Sequence, residues 1–310
     1  METHAHLRAF CYIEVNALNE KTFKTINEQI ALLQSRGLLI KDDLQTRDFL
    51  LKNNYYRISG YSLTLRNRDA FYKGTTLTNI MDIYCFDHEL RHLLLQYLET
   101  IEVTIKSIYA YEFCQRYGAL GYLDQMNFTD KVQYNKIIEK TKRQCDSRHA
   151  HEAYIKHFLD DLQQDIPLWA YVDLLTISDI SFLYSISKDV LRETIAHHFD
   201  LSMNKGPAIL GNFLHSMTII RNLCAHGSRL FNRLFERKPS LNKKEQALLI
   251  KNADGTMNNA HLYGFILIIR RLLPDTSFAK MKMDIITLTE KYPFVNMKHY
   301  GFREDWQEKL

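Results

Sequence analysis

Proline and glycine are scarce, 5 and 11 of 310 residues, which excludes a collagen-like or turn-dominated chain and leaves few points where a helix must break. No apolar run approaches the roughly 18 residues that a membrane span needs. The first residues, with Glu2, His4, His6 and Arg8, offer no apolar core of a signal peptide. The expectation is a cytoplasmic protein with no membrane partner. The five cysteines (Cys11, Cys85, Cys114, Cys145, Cys224) are scattered and odd in number, and no Cys-x-x-Cys occurs, so reduced thiols are expected rather than a disulfide framework or a zinc site. Thirteen histidines include no His-Glu-x-x-His, and neither His149/His151 nor His197/His198 has i, i+4 spacing. No metal or other cofactor is expected. A net charge of +4 is too small to argue for nucleic acid by itself, so local clustering has to carry that argument.

What the chain does contain is 46% hydrophobic and 25% charged residues, the balance of a globular protein. Apolar residues recur mostly at three- and four-residue spacing, which predicts an all-α fold. Helices are expected at Thr22–Ser35, stopped by Gly37, and from Asp42 or Asp43 to Asn53-Asn54, followed by the aromatic run Tyr55-Tyr56-Arg57-Ile58-Ser59-Gly60-Tyr61. The longest periodic segment runs without Pro or Gly from Thr75 or Thr76 to Tyr117, with Ile80, Ile83, Tyr84, Leu90, Leu94, Leu98, Ile101, Ile105 and Ile108 on its buried side. As one helix it would be roughly 60 Å long, too long for one small core, and so a spine or a partner surface. Further helices are expected at Asp130–Cys145, Glu152–Gln164, Ala170–Tyr184, Val190–His197, Pro207–Ala225 with Gly227 as terminator, Asn259–Leu273 and Ser277–Lys291. The expected division is an N-terminal helical segment at 1–74 and a helical bundle with a C-terminal extension at 75–310, packed as one unit.

One short element stands out chemically, Arg221-Asn222-Leu223-Cys224-Ala225-His226. Arg followed a few residues later by His is a weak pattern, and Arg143 with His149 or Arg192 with His197 and His198 fit it too. Context separates this copy: Asn follows the Arg, the element closes a helix ahead of Gly227, and basic and aromatic residues come next. A histidine titrating near neutrality can take the proton of a ribose 2′-hydroxyl or give one to the leaving 5′-oxygen, while an arginine holds the phosphate. Asn222 can fix the ring or a phosphate oxygen. Equally, Arg221 can form a structural ion pair and His226 can cap a helix C-terminus. On an ideal helix Asn222 and His226 share a face, but Arg221 and His226 point about 140° apart, so one protomer does not easily hold both.

Other residues could serve such a site. Arg229, Arg233 and Arg237 at four-residue spacing, with Lys238, Lys243 and Lys244 following, would form one positive row for RNA if the stretch is helical, or a solvated basic face. Asp87, Arg91 and Glu102 fall on one face of the long helix, where they either hold the Arg or His or make an ordinary salt bridge. Tyr55, Tyr56 and Arg57 either stack RNA bases or pack a helical corner.

The succession Gln29-x-x-Leu32-Leu33-x-x-Arg36-Gly37-Leu38, Asn54-Tyr55-Tyr56-Arg57-x-x-Gly60-Tyr61, Tyr84-x-Phe86-Asp87-x-x-Leu90-Arg91, Ile101-Glu102-Val103, Arg221-Asn222-x-Cys224-Ala225-His226 and Tyr300-Gly301-Phe302-x-x-x-Trp306 resembles the bacterial abortive-infection proteins of the AbiD/AbiF type. The resemblance runs from about Thr22 to Trp306 and implies a HEPN-like helical bundle, a toxin-like part in antiphage defence, and a ribonuclease centre at Arg221, Asn222 and His226. It also implies a homodimer with a shared site, and a small noncoding RNA that restrains the protein. The family's usual second His after the motif is Gly227 here. The expected function is a metal-independent endoribonuclease leaving 2′,3′-cyclic phosphate and 5′-hydroxyl ends. A HEPN-like module that binds RNA or a partner without cleaving is the alternative, and a dimer in which the motif only builds the interface is a third reading.

Overall fold

Several helices begin where the sequence supplies a side-chain cap. In the computed structural model, which describes residues 22–41, 43–201 and 204–310, Thr25 and Glu28 cap each other's backbone at the start of α1 (Ile26–Ser35). Asp43 accepts from the Thr46 N–H ahead of α2 (Leu44–Lys52). Glu2, His4, His6, Arg8 and Cys11, and the alternative helix start Asp42, lie outside the described residues. The chain divides into two compact units, 1–81 and 82–310.

In the first unit α1 and α2 are followed by α3 (Tyr55–Tyr61), which buries Ile58 and Tyr61. A two-residue hairpin comes next, β1 (Arg66–Asn67) paired antiparallel with β2 (Ala70–Phe71). Gly37 ends α1 at φ +89°, where a left-handed residue is needed to close the helix. Thr76 and Asn79 then cap each other reciprocally and start α4 (Leu77–Tyr117).

α4 has 41 residues. From Asp82 onward it is the spine of the second unit, and successive turns meet successive elements. The helices that follow α4 in chain order are α5 (Lys131–Arg148), α6 (Ala153–Lys156), α7 (Leu168–Tyr171), α8 (Ile177–Ile186), α9 (Asp189–His197), α10 (Gly206–Ala225), α11 (Lys243–Gln246), α12 (Leu262–Leu272), α13 (Asp275–Lys291) and α14 (Trp306–Lys309). Glu89 accepts from Lys291 and Tyr292 at the end of α13, and Tyr97 donates to Asp284 within it at 2.6 Å. Glu102 pairs with α10, Tyr109 bonds Ser187 after α8, and Glu112 meets His198 after α9 at 2.7 Å. Charge and hydroxyl pairs thus peg a long helix whose inner face is Leu90, Leu94, Leu98, Ile101 and Ile105, all buried; Tyr84 and Ile108 are half-buried.

α10 packs against α8, α9 and α12. Of its expected inner face, Phe213, Met217, Ile220 and Cys224 are buried, with Leu210 taking the place of half-buried Ile209. α12 is buried on nearly every side, as a helix apolar all round must be.

The fold is all-α with a long central helix. It departs from expectation at Ala170–Tyr184, which is not one helix: α7 passes into a single 3-10 turn at Val172–Leu174, and α8 restarts at Ile177. The cause is Thr176, which with Asp179 forms another reciprocal cap. Among the described residues no helix is long and apolar enough to cross a membrane.

Candidate active site

α10 delivers the Arg-Asn-Leu-Cys-Ala-His element at its C-terminus and remains regular to the end. The His226 N–H donates to the Asn222 carbonyl at 2.9 Å, the ordinary helical bond. Closure follows at once: Gly227 N–H reaches Cys224 O at 3.1 Å, Ser228 N–H reaches Leu223 O at 2.9 Å, and Gly227 sits at φ +63°. This pair of bonds with a left-handed glycine is the Schellman arrangement, and it explains the glycine in place of a second His: an L side chain there would cost about 1–2 kcal/mol.

Within the element the side chains divide by environment. Cys224 is buried, and burial pushes its thiol up to about 12, with the nearby Arg91 lowering it and Asp87 raising it. It is packing, not a nucleophile. Arg221, Asn222 and His226 all reach solvent. The Arg221 Nε lies 3.3 Å from Glu102 of α4, whose other oxygen is 3.0 Å from the Lys106 ammonium. Arg221 Nη1 is also 3.5 Å from Asn222 Oδ1, a marginal hydrogen bond. His226 is exposed, and among the described residues its ring takes no hydrogen-bond or ion-pair partner. Because the helix end is not distorted, Arg221 and His226 stay about 140° apart around the axis.

Directly after the element, the spine grips the chain. Asp87, fully buried, pairs with Arg91 one turn along α4. The same carboxylate accepts from the Phe231 N–H at 2.8 Å, the Leu230 N–H at 3.2 Å and the Tyr300 hydroxyl at 3.0 Å. Tyr300 also packs edge-on to Phe231.

This grip overturns the helical basic row. Residues 228–242 form no helix: Gly227 has ended α10, Asp87 captures the N–H groups that a helix would use, and Asn232 turns the chain at φ +47°. Arg229 and Arg233 donate to carbonyls of their own loop, those of Phe231 and Arg229. Arg237 and Lys238 are exposed beside α10, where Asn212 bonds the Lys238 carbonyl at 3.3 Å. Lys243 and Lys244 are exposed on α11. These cations therefore do not line one helical face. Tyr55, Tyr56 and Arg57 lie in the first unit, with the Tyr55 hydroxyl accepting from Arg36 at 3.1 Å and Tyr56 exposed.

Two histidines brace the same loop: His261 Nδ1 donates to the Arg233 carbonyl at 3.0 Å, and the His299 ring sits 5.2 Å from that of Phe231. Burial lowers both below the usual 6.5; the Arg233 bond opposes this for His261, while the charges of His261 and Lys298 add to it for His299. The unfolded chain therefore binds more protons, so stability is full above about pH 6.5 and falls as the pH drops through that value toward the folded-state pKa values. Urea midpoints at about pH 7.5 and about pH 5.5 should differ by less in a His261→Gln/His299→Gln variant than in the parent.

Comparison with protein families matches residues 48–232 to the Abi-like protein family, more than half of the chain. The chain belongs to the Abi-like family. Membership supports a role in abortive infection, a form of phage defence. The matched stretch is shorter than the Thr22–Trp306 resemblance, yet it holds all of α4, the element at 221–226 and the Leu230–Phe231 backbone gripped by Asp87, leaving out Tyr300. No curated protein and no solved structure matches the chain.

Sequence reasoning missed three supports of the site: Tyr300, Lys106 and the Leu230–Phe231 backbone. Tyr300 had a signal in its Tyr-Gly-Phe run, where Gly301 sits at φ +86° and any Cβ would fall 2.6 Å from His261. Lys106 could have been found as the i+4 partner of Glu102. Backbone donors leave no trace in residue identity.

Proposed function

We propose that this Abi-like protein is a metal-independent endoribonuclease of HEPN type, in the AbiD/AbiF branch, with Arg221, Asn222 and His226 as its site. The observation that supports this is the division of labour inside one helical turn and its neighbour. The three residues that can handle a phosphodiester face solvent, while Cys224 is sealed in the core, Glu102 ties the element to the spine and Asp87 ties down the loop just after it.

His226 is placed to move a proton at the ribose 2′-oxygen or the leaving 5′-oxygen. Arg221, oriented by Glu102, holds the phosphate and offsets the charge that develops on it. Asn222, on the same face as His226, supplies an amide to the ring or to a phosphate oxygen. Attack by the 2′-oxygen leaves a 2′,3′-cyclic phosphate and a 5′-hydroxyl.

Since the regular helix end keeps Arg221 and His226 on different faces, the site is completed across a two-fold axis, with one subunit's Arg facing its twin's His. RNA is the substrate, and a noncoding RNA bound over the same cations would restrain the enzyme between infections. The test mixes an Arg221→Ala protein with a His226→Ala protein, each inactive alone. Cleavage should return in the mixture, with cyclic-phosphate ends. Exchange of tagged subunits without any recovered cleavage rejects the shared site.

A further inference from the structure

An open groove of about 730 Å³ runs along α4 beside α7, lined by Lys106, Ser107, Tyr111 and Gln115 from the first and by Trp169 and Asp173 from the second and its following turn. Its large aromatics face solvent: Tyr111 is 64% exposed and Trp169 58%. Flexibility does not explain this. Trp169 sits between Leu168, 1% exposed, and the buried Tyr171 and Val172. The Leu168 N–H is fixed to the Ala119 carbonyl at 2.9 Å. Tyr171 packs on Tyr122 with ring centroids 4.6 Å apart. A rigid turn therefore holds an indole out into water at the edge of a groove, a costly position for an apolar ring that nothing among the described residues covers.

The charge at one end of the groove identifies what fits. Lys106 shares the Glu102 carboxylate with Arg221, so two cations meet one anion, and the groove leads from its aromatic wall to the motif arginine through a single side chain. Tyr111 lies nine residues beyond Glu102, roughly 13 Å along the helix. The matching occupant has a planar aromatic group at one end and an anion at the other. A nucleotide has both.

We infer that the groove is a base-stacking subsite for single-stranded RNA, with Trp169 and Tyr111 as the platform, for a nucleotide flanking the phosphate held by Arg221. Ser107, Gln115 and Asp173 supply donors and acceptors to the edges of the base. Stacking on aromatic faces accepts any base and requires an unpaired strand, so the subsite selects single strands over duplexes. The inference rests on the ribonuclease reading of the motif and adds where the strand runs.

The test measures binding of a labelled ten-nucleotide single-stranded RNA of mixed sequence, and of the same RNA as a duplex, to the full chain carrying His226→Ala so that it survives. Adding Trp169→Ala should weaken single-strand binding about 5- to 150-fold, and Trp169→Phe should retain most of it. Duplex binding should be equal in all three. Of the two tryptophans in the chain, Trp306 is buried, so quenching of the exposed Trp169 emission by the single strand reports the same contact without a substitution. Equal single-strand affinity in parent and Trp169→Ala, with no quenching, overturns the subsite while leaving the nuclease reading intact. A parent that binds no RNA at all overturns both, and does so before any groove variant is made. If Trp169→Ala instead changes the subunit number in the absence of RNA, the groove is a contact between copies and the inference is wrong.

Discussion

An alanine in place of His226 should lower RNA cleavage by about 10²–10⁴-fold, the range associated with losing a positioned proton-transfer group. RNA affinity should be nearly unchanged, since cations elsewhere supply it. Growth inhibition by the expressed protein should disappear with the cleavage. The structure makes this a clean experiment, because His226 is exposed and its ring bonds nothing among the described residues. Its loss should change stability by no more than about 0.5 kcal/mol. Arg221→Ala is a less clean companion: it also leaves Glu102 with Lys106 alone, so binding and turnover should fall together. Full cleavage by a well-folded His226→Ala protein would remove the nuclease assignment from this element.

Asp87→Ala should cost about 3–5 kcal/mol of stability, the penalty for leaving one member of a buried ion pair behind. Asp87 is fully buried, and four groups converge on it: the Arg91 guanidinium, two backbone N–H groups of the post-motif loop and the Tyr300 hydroxyl. Asp87→Asn keeps the shape and one acceptor oxygen but turns an NH₂ toward some of these donors, so it should recover part of the loss. Tyr300→Phe removes one neutral hydrogen bond and should cost about 1 kcal/mol. Urea unfolding read by circular dichroism ranks the three. Equal midpoints for Asp87→Ala and Tyr300→Phe would show that the carboxylate does not organise the loop.

The backbone plan was legible because helix punctuation is local. A stretch free of Pro and Gly from Thr75 to Tyr117 became α4, and Gly37 and Gly227 stand at left-handed stops. Misreadings arose where a distant residue decides local structure, or where a start signal lay inside an apolar run. Thr176-x-x-Asp179 is such a start, hidden between Leu175 and Ile180, and it split an expected helix. The arginines at 229, 233 and 237 have helical spacing but no helix, because Asp87, some 140 residues earlier, takes the Leu230 and Phe231 N–H groups. For the candidate site, the chemistry of Arg221 and His226 could be read from residue types, and Glu102 and Asp87 from their shared face. What each of those acids holds, and that Trp169 stands exposed beside Lys106, depends on tertiary placement.

The grip at Asp87 also sets an order of events during synthesis. It joins residue 87 to residues 230 and 231 and then to residue 300, contacts separated by most of the second unit and hence by large closure entropies. A chain emerging from the ribosome carries the whole Arg-Asn-Leu-Cys-Ala-His element well before Tyr300 exists to seat its ring on Phe231 and its hydroxyl on Asp87. The support beneath the element is finished only once residue 300 has been made, about 70 residues after the element itself. For a protein proposed to cut RNA, the element thus stays incompletely supported while it first emerges from the RNA-rich machine that makes it.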